Sequence, residues 1–153
     1  MQLAEILPEQ CIFVRSDIAS KKKLLQLVSE LFIGNKTDLS NSDIFACLLS
    51  RERLGSTGFG HGVALPHGRV SGELNKPCGL FIKLNKPVDF DAIDGQPVDL
   101  VFALLVPESA TQDHLELLAQ LASLFQDPAF CDQVRNETDP QQIHQLIVQN
   151  SAS

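Results

Sequence analysis

The run LVFALLV, Leu100 to Val106, carries no charged or hydrogen-bonding side chain and is bounded by Asp99 and Pro107. A strand with one wet face alternates apolar and polar residues; this run does not alternate, so it reads as a central strand covered on both faces. Covering both faces of a sheet takes helices, which points to an α/β architecture. No apolar run in the chain approaches the ~20 residues needed to span a bilayer, so membrane insertion is not expected.

The rest of the chain fits that frame. Val63–Leu65 and Leu80–Leu84 are further short strand signals, and Pro77, Pro87, Pro97 and Pro107 mark turns between strands. Ser20 is a plausible cap for KKKLLQLVSELFI, in which Leu24, Leu25, Val28, Leu31 and Phe32 share one helical face. Asn41 or Ser42 can cap a second helix, with Ile44, Phe45, Leu48 and Leu49 inward and an end near Leu54–Gly55. Beyond Pro107, Leu115, Leu118, Ala119, Ala122 and Phe125 form one helical stripe. Asp127–Pro128 starts a short helix, and Asp139–Pro140 starts a last one with Ile143, Leu146 and Ile147 inward. The expectation is one α/β domain over residues 1–153: a small mixed parallel and antiparallel sheet flanked by helices on both faces.

A formal net charge of −7 argues against a nucleic-acid partner. The opening MQLAEILPEQ lacks the basic start and apolar run of a secretory signal, which predicts a cytoplasmic protein. Cys11, Cys47, Cys78 and Cys131 show no CxxC or zinc-ligand spacing and read as free thiols.

The chemistry concentrates where glycine does, at Gly55, Gly58, Gly60 and Gly62, a stretch that reads as loop or distorted strand. It leads into GHGVALPHGR, Gly60 to Arg69, with two histidines. A neutral imidazole is a good nucleophile near pH 7 when exposed, fixed in orientation and close to positive or N–H groups. His67 meets these needs: Pro66 restricts the backbone before it, and Gly68 leaves room and an open amide beside it. Arg51, Arg53 and Arg69 offer guanidinium forks that match phosphate, and Ser56 and Thr57 add hydroxyls. The set suits a phosphate better than a metal, because no carboxylate or cysteine stands at ligand spacing from His67. The plainer alternative is a ring that closes a turn. His114 starts the helix after PESATQDH, with Ser109 or Thr111 as cap. The positive helix end there disfavours imidazolium and can hold an anion; a solvated first-turn histidine is the alternative. His61 reads as a loop side chain and His144 as a solvated one.

Three separated stretches carry a resemblance: RERLGSTGFGHGVALPHGR, FDAIDGQPVDLVFALLVP and DHLELLAQLA. Together they resemble the phosphotransferase-system IIA domains of the fructose/mannitol class, and within them the nitrogen-regulatory branch. The resemblance implies a phosphotransferase in which His67 accepts a phosphoryl group on Nε2. Arg51 stands where the family has its active-site arginine, and His114 where a second histidine faces the first. It implies no metal or cofactor. Its implied partners are an HPr-like phosphocarrier, of the nitrogen branch, and regulatory targets such as a kinase or transporter. A sugar-uptake IIA passing phosphate to a IIB domain is the alternative. The family carries asparagine where this chain has His61, and an imidazole cannot donate and accept in the same way.

Overall fold

The protein is described from a computed structural model, over residues 2–34, 40–70, 74, 76–109 and 111–151. The short helix α1 (Leu3–Ile6) precedes β1 (Ile12–Arg15) and the helices α2 (Lys21–Gly34) and α3 (Asn41–Arg53). Then come β2 (Gly58–Gly60), β3 (Val63–Ala64), β4 (His67–Val70), β5 (Cys78–Val88) and β6 (Val98–Pro107). The chain closes with α4 (Thr111–Phe125), α5 (Pro128–Asn136) and α6 (Pro140–Ser151).

The sheet is mixed, in the order β1-β5-β6-β3-β2, with β4 also against β6. β6 lies inside it, and Leu100 through Pro107 are all buried, as the unbroken apolar run requires. It pairs antiparallel with β5 on one edge and parallel with β3 and β4 on the other. α2 and α3 pack on each other and α3 lies along β4; α4, α5 and α6 form a second group, with α6 beside β1.

Local signals account for most helix starts. Ser20 Oγ accepts from Lys23 N at 3.1 Å, and Asp127 Oδ1 from Ala129 N at 3.0 Å. α3 differs: it begins at Asn41, so the cap is Ser40, whose Oγ accepts from Asp43 N at 3.2 Å, and not Asn41 or Ser42. The α4 stripe also differs. Leu117, Leu121, Leu124 and Phe125 are buried, Leu118 and Ala122 flank them, and Leu115 and Ala119 face outward. Both candidate stripes obey the helical period; the packing partner selects between them. For α4 the position before Thr111 lies outside the described residues, so neither Ser109 nor Thr111 is seen as its cap. Pro87 lies inside β5 and not between strands, at the break in β5–β6 pairing between Lys83 and Val88. A proline is tolerated there because no ladder hydrogen bond is lost.

His144 is not simply solvated: its Nε2 lies 2.8 Å from the Leu7 carbonyl, tying α6 to the chain after α1. Lys83, 6% exposed, donates from β5 to the Arg135 and Glu137 carbonyls at 2.6 and 2.5 Å. It thus satisfies acceptors at the C-terminal end of α5 with a favourable positive charge.

Candidate functional site

β3 and β4 are two pieces of one strand. Both run parallel to β6 in one continuous register, Ala64 opposite Val101 and His67 opposite Leu104. Leu65–Pro66 forms the gap. Pro66 has no N–H to give the ladder, but its carbonyl accepts from Leu104 N at 3.0 Å, and Leu65 N donates to Thr57 O at 3.1 Å. The Leu65 carbonyl, held between these anchors, lies 2.7 Å from His67 Nδ1. A carbonyl can only accept, so Nδ1 carries the proton and Nε2 keeps its lone pair. Arg51 Nε donates to that Nε2 at 3.3 Å, from sixteen residues upstream.

Arg51 reaches His67 because the last turn of α3 ends against β4. Its Nη1 also donates to Gly55 O at 2.9 Å, which curls the chain around the guanidinium. The helix approaches β4 so closely that a Cβ on Gly68 would collide with Cys47 Sγ. That sulfur donates to Arg69 O at 3.3 Å. The room expected beside Gly68 for a large group is therefore filled by Cys47. The open space lies above it, in a cavity of about 740 Å³ bordered by Arg51, His67, Gly68, Arg69 and His114.

His114 completes the cluster from the first turns of α4. Its ring centroid lies 5.3 Å from that of His67, at 56°. Its Nδ1 is buried with no hydrogen-bond partner among the described residues. A buried nitrogen left so costs about 1–3 kcal/mol, a penalty tolerated where function needs it.

Ser56 and Thr57 border a second, smaller depression of about 320 Å³ that shares Arg51 and His67. Their hydroxyls already donate inside the protein: Ser56 Oγ to Phe90 O at 2.9 Å, and Thr57 Oγ1 to a Glu52 carboxylate oxygen. Arg53 is exposed. His61 lies elsewhere, by Phe125, Cys131 and Arg135. It caps a turn at φ 57°, with its N–H on Asp94 Oδ2 at 3.0 Å and its carbonyl on Arg135 Nη2 at 2.6 Å. Asparagine and histidine are both enriched in that left-handed conformation, so the exchange suits the backbone.

Sequence reasoning missed the α3 wall of the cavity, Asp43, Ala46, Cys47 and Ser50. A helical period shows that a face exists, not which strand it meets. It also missed Glu52, which stands between two arginines like any solvated charge yet is 7% exposed.

The His67 pKa is lowered from the ordinary 6.5, first by burial and then by the Arg51 charge, against raising contributions from the Leu65 carbonyl and Glu52. The His114 pKa is lowered too, by burial, then by His67, Arg69 and Arg51. A lowered pKa keeps an imidazole neutral, and thus nucleophilic, to a lower pH. In an NMR titration of the ring protons, both histidines should show midpoints below 6.5. A His67 midpoint at or above 6.5 contradicts the buried, cation-flanked site.

Among the described residues no helix is long and apolar enough to cross a membrane, and no group of three or more His, Cys, Asp or Glu could hold a metal ion. Residues 5–150 match the family model described as phosphoenolpyruvate-dependent sugar phosphotransferase system, EIIA 2. A nitrogen regulatory protein of Klebsiella oxytoca is 38% identical over 97% of this chain and 91% of its own length. One from Pseudomonas aeruginosa is 41% identical over 97% and 96%. The crystal structure of nitrogen regulatory protein IIA-Ntr from Neisseria meningitidis superposes with a TM-score of 0.88 at 42% identity, covering 94% of this chain and 97% of that one. A histidine whose Nε2 lone pair meets an arginine stands on this fold, and the family match and the relatives place the chain in the EIIA 2 family of the phosphoenolpyruvate-dependent phosphotransferase system.

Proposed function

We propose that this protein is a phosphoryl-transfer regulator of the nitrogen branch, which accepts a phosphoryl group on His67 Nε2 from an HPr-like phosphocarrier in the cytoplasm. The observation that carries the reading is the state of the two ring nitrogens. Nδ1–H is held by the Leu65 carbonyl, while the Nε2 lone pair faces the Arg51 Nε–H donor.

The chemistry then needs little rearrangement. The Nε2 lone pair attacks phosphorus in line; the donor's P–N bond breaks and its electron pair returns to the donor ring. The proton on His67 Nδ1 stays in place, and the positive charge that develops on the ring is stabilised by the Leu65 carbonyl. Arg51 releases Nε2 and turns its fork to the equatorial oxygens, as suits a reaction governed by positioning and charge. A phosphoryl oxygen would also bring an acceptor beside the His114 ring. Arg69, exposed at the rim, adds positive charge. Gly68 supports the site by letting α3 close on β4.

The product carries about −1.5 to −2 added charges where cations had gathered. A regulatory target, such as a kinase or transporter, docking over the cavity would therefore meet two different surfaces. The nitrogen-regulatory reading stands above the sugar-uptake one because the relatives matched over more than nine-tenths of both chains carry that name. The test is incubation with phosphoenolpyruvate and the purified general phosphotransferase enzymes, followed by mapping. An acid-labile phosphate on His67 is expected; no label, or label on another residue, overturns the assignment.

A further inference from the structure

Glu52 lies next to Arg51 in the chain, yet the two point to different tasks. Its side chain is 2% exposed and takes three donors: Lys21 Nζ at 3.0 Å and Thr57 N at 3.1 Å on Oε1, and Thr57 Oγ1 on Oε2. Lys21 is itself seated 4.6 Å over the Phe90 ring. A buried carboxylate so bound is a fixed point, since moving it would strand donors or a charge.

What it fixes leads to His67. Thr57, held by Glu52 at both N–H and hydroxyl, presents its carbonyl to Leu65 N at 3.1 Å. Leu65 in turn presents its carbonyl to His67 Nδ1 at 2.7 Å. On the far side, Leu104 holds the Pro66 carbonyl. The Leu65–Pro66 peptide falls in the gap between β3 and β4, and its carbonyl is the one that lies against the His67 ring.

We propose that Glu52 is a positioning residue which, through Thr57 and Leu65, holds His67 in the Nδ1–H tautomer and so keeps the lone pair on Nε2. Two adjacent residues at the end of α3 then govern the two ring nitrogens: Arg51 contacts Nε2 directly, and Glu52 sets Nδ1 at a distance. The kinetic consequence rests on His67 being the phosphoryl acceptor; the tautomer does not.

The experiment compares wild type, Glu52→Ala and Glu52→Gln by ring-nitrogen NMR and by phosphorylation rate. Wild type should show a protonated Nδ1 and an unprotonated Nε2. Glu52→Ala should show exchange between tautomers and a rate lower by about 10- to 100-fold, the scale of small misplacements of reacting groups. Glu52→Gln keeps an acceptor oxygen for Thr57 and should restore the single tautomer and most of the rate. A folded Glu52→Ala with the wild-type ring spectrum overturns the proposal, whether or not its rate falls, because any loss would then have another route. If Glu52→Ala does not fold, Thr57→Val removes one donor while keeping the Thr57 carbonyl. A partial shift towards the other tautomer supports the proposal, and an unchanged spectrum overturns it. If wild type takes no phosphate at all, the acceptor reading fails, while the ring spectra still decide the role of Glu52.

Discussion

Changing His67 to alanine should reduce acid-labile phosphorylation to background. The transfer needs an unprotonated imidazole nitrogen in line with the donor, and only at His67 do the backbone and Arg51 define both ring nitrogens. His114 cannot substitute. Its ring centroid is 5.3 Å away, and among the described residues its Nδ1 has no carbonyl anchor to select a tautomer. The loss should be chemical and not a loss of fold. The variant gives up two hydrogen bonds, one to Leu65 O and one from Arg51 Nε, each worth about 0.5–1.5 kcal/mol. Label transferred from phosphoenolpyruvate, read beside a thermal melt, checks both points. Equal label in the variant overturns the assignment of His67. A folded Arg51→Lys protein is the informative companion: it keeps the charge but loses the fork, so transfer should slow while labelling stays on His67.

The largest expected loss of stability lies at Phe125. It is 1% exposed at the end of α4. Its ring stacks 5.8 Å from Phe81, meets Phe130 edge-on at 5.4 Å and tilts against Phe102 at 6.2 Å. It therefore joins the two central strands to α5. Phe125→Ala should cost about 3–5 kcal/mol, from lost transfer energy and the cavity left behind. At ~2–4 °C per kcal/mol for a chain of this size, the melting temperature should drop by about 6–20 °C. Phe125→Leu should fall between. A drop under about 3 °C for Phe125→Ala would mean that the aromatic cluster collapses to fill the hole. Because α4 also carries His114, slower phosphorylation is expected alongside the instability.

Some elements were legible because one local rule decides them. Leu100–Val106 has no wet side, so it is buried inside the sheet wherever the chain places it. Ser20, Asp127 and Asp139 cap helices through side chains that act within two or three residues. Pro66-His67-Gly68 and Arg51 were legible as candidates because phosphate chemistry needs those residue types. β1 and β4 were not read as strands, since each is four residues long and its identity comes from a partner far along the chain, β5 or β6.

The sequence by itself determined the layered class, most of the helices and the residue types able to handle a phosphoryl group, because these follow from period, capping and chemistry within a few residues. Tertiary structure alone decided how they meet. It chose Leu117 and Leu121 over Leu115 and Ala119, since period fixes a stripe's width but its partner fixes its direction. It directed the Ser56 and Thr57 hydroxyls to Phe90 and Glu52. It turned Glu52 from a surface charge into a buried anchor by bringing Lys21 and Thr57 to it. It set the His67 tautomer through the Leu65 carbonyl. Each of these depends on a distance between residues that the backbone must first bring together, and no local pattern encodes such a distance.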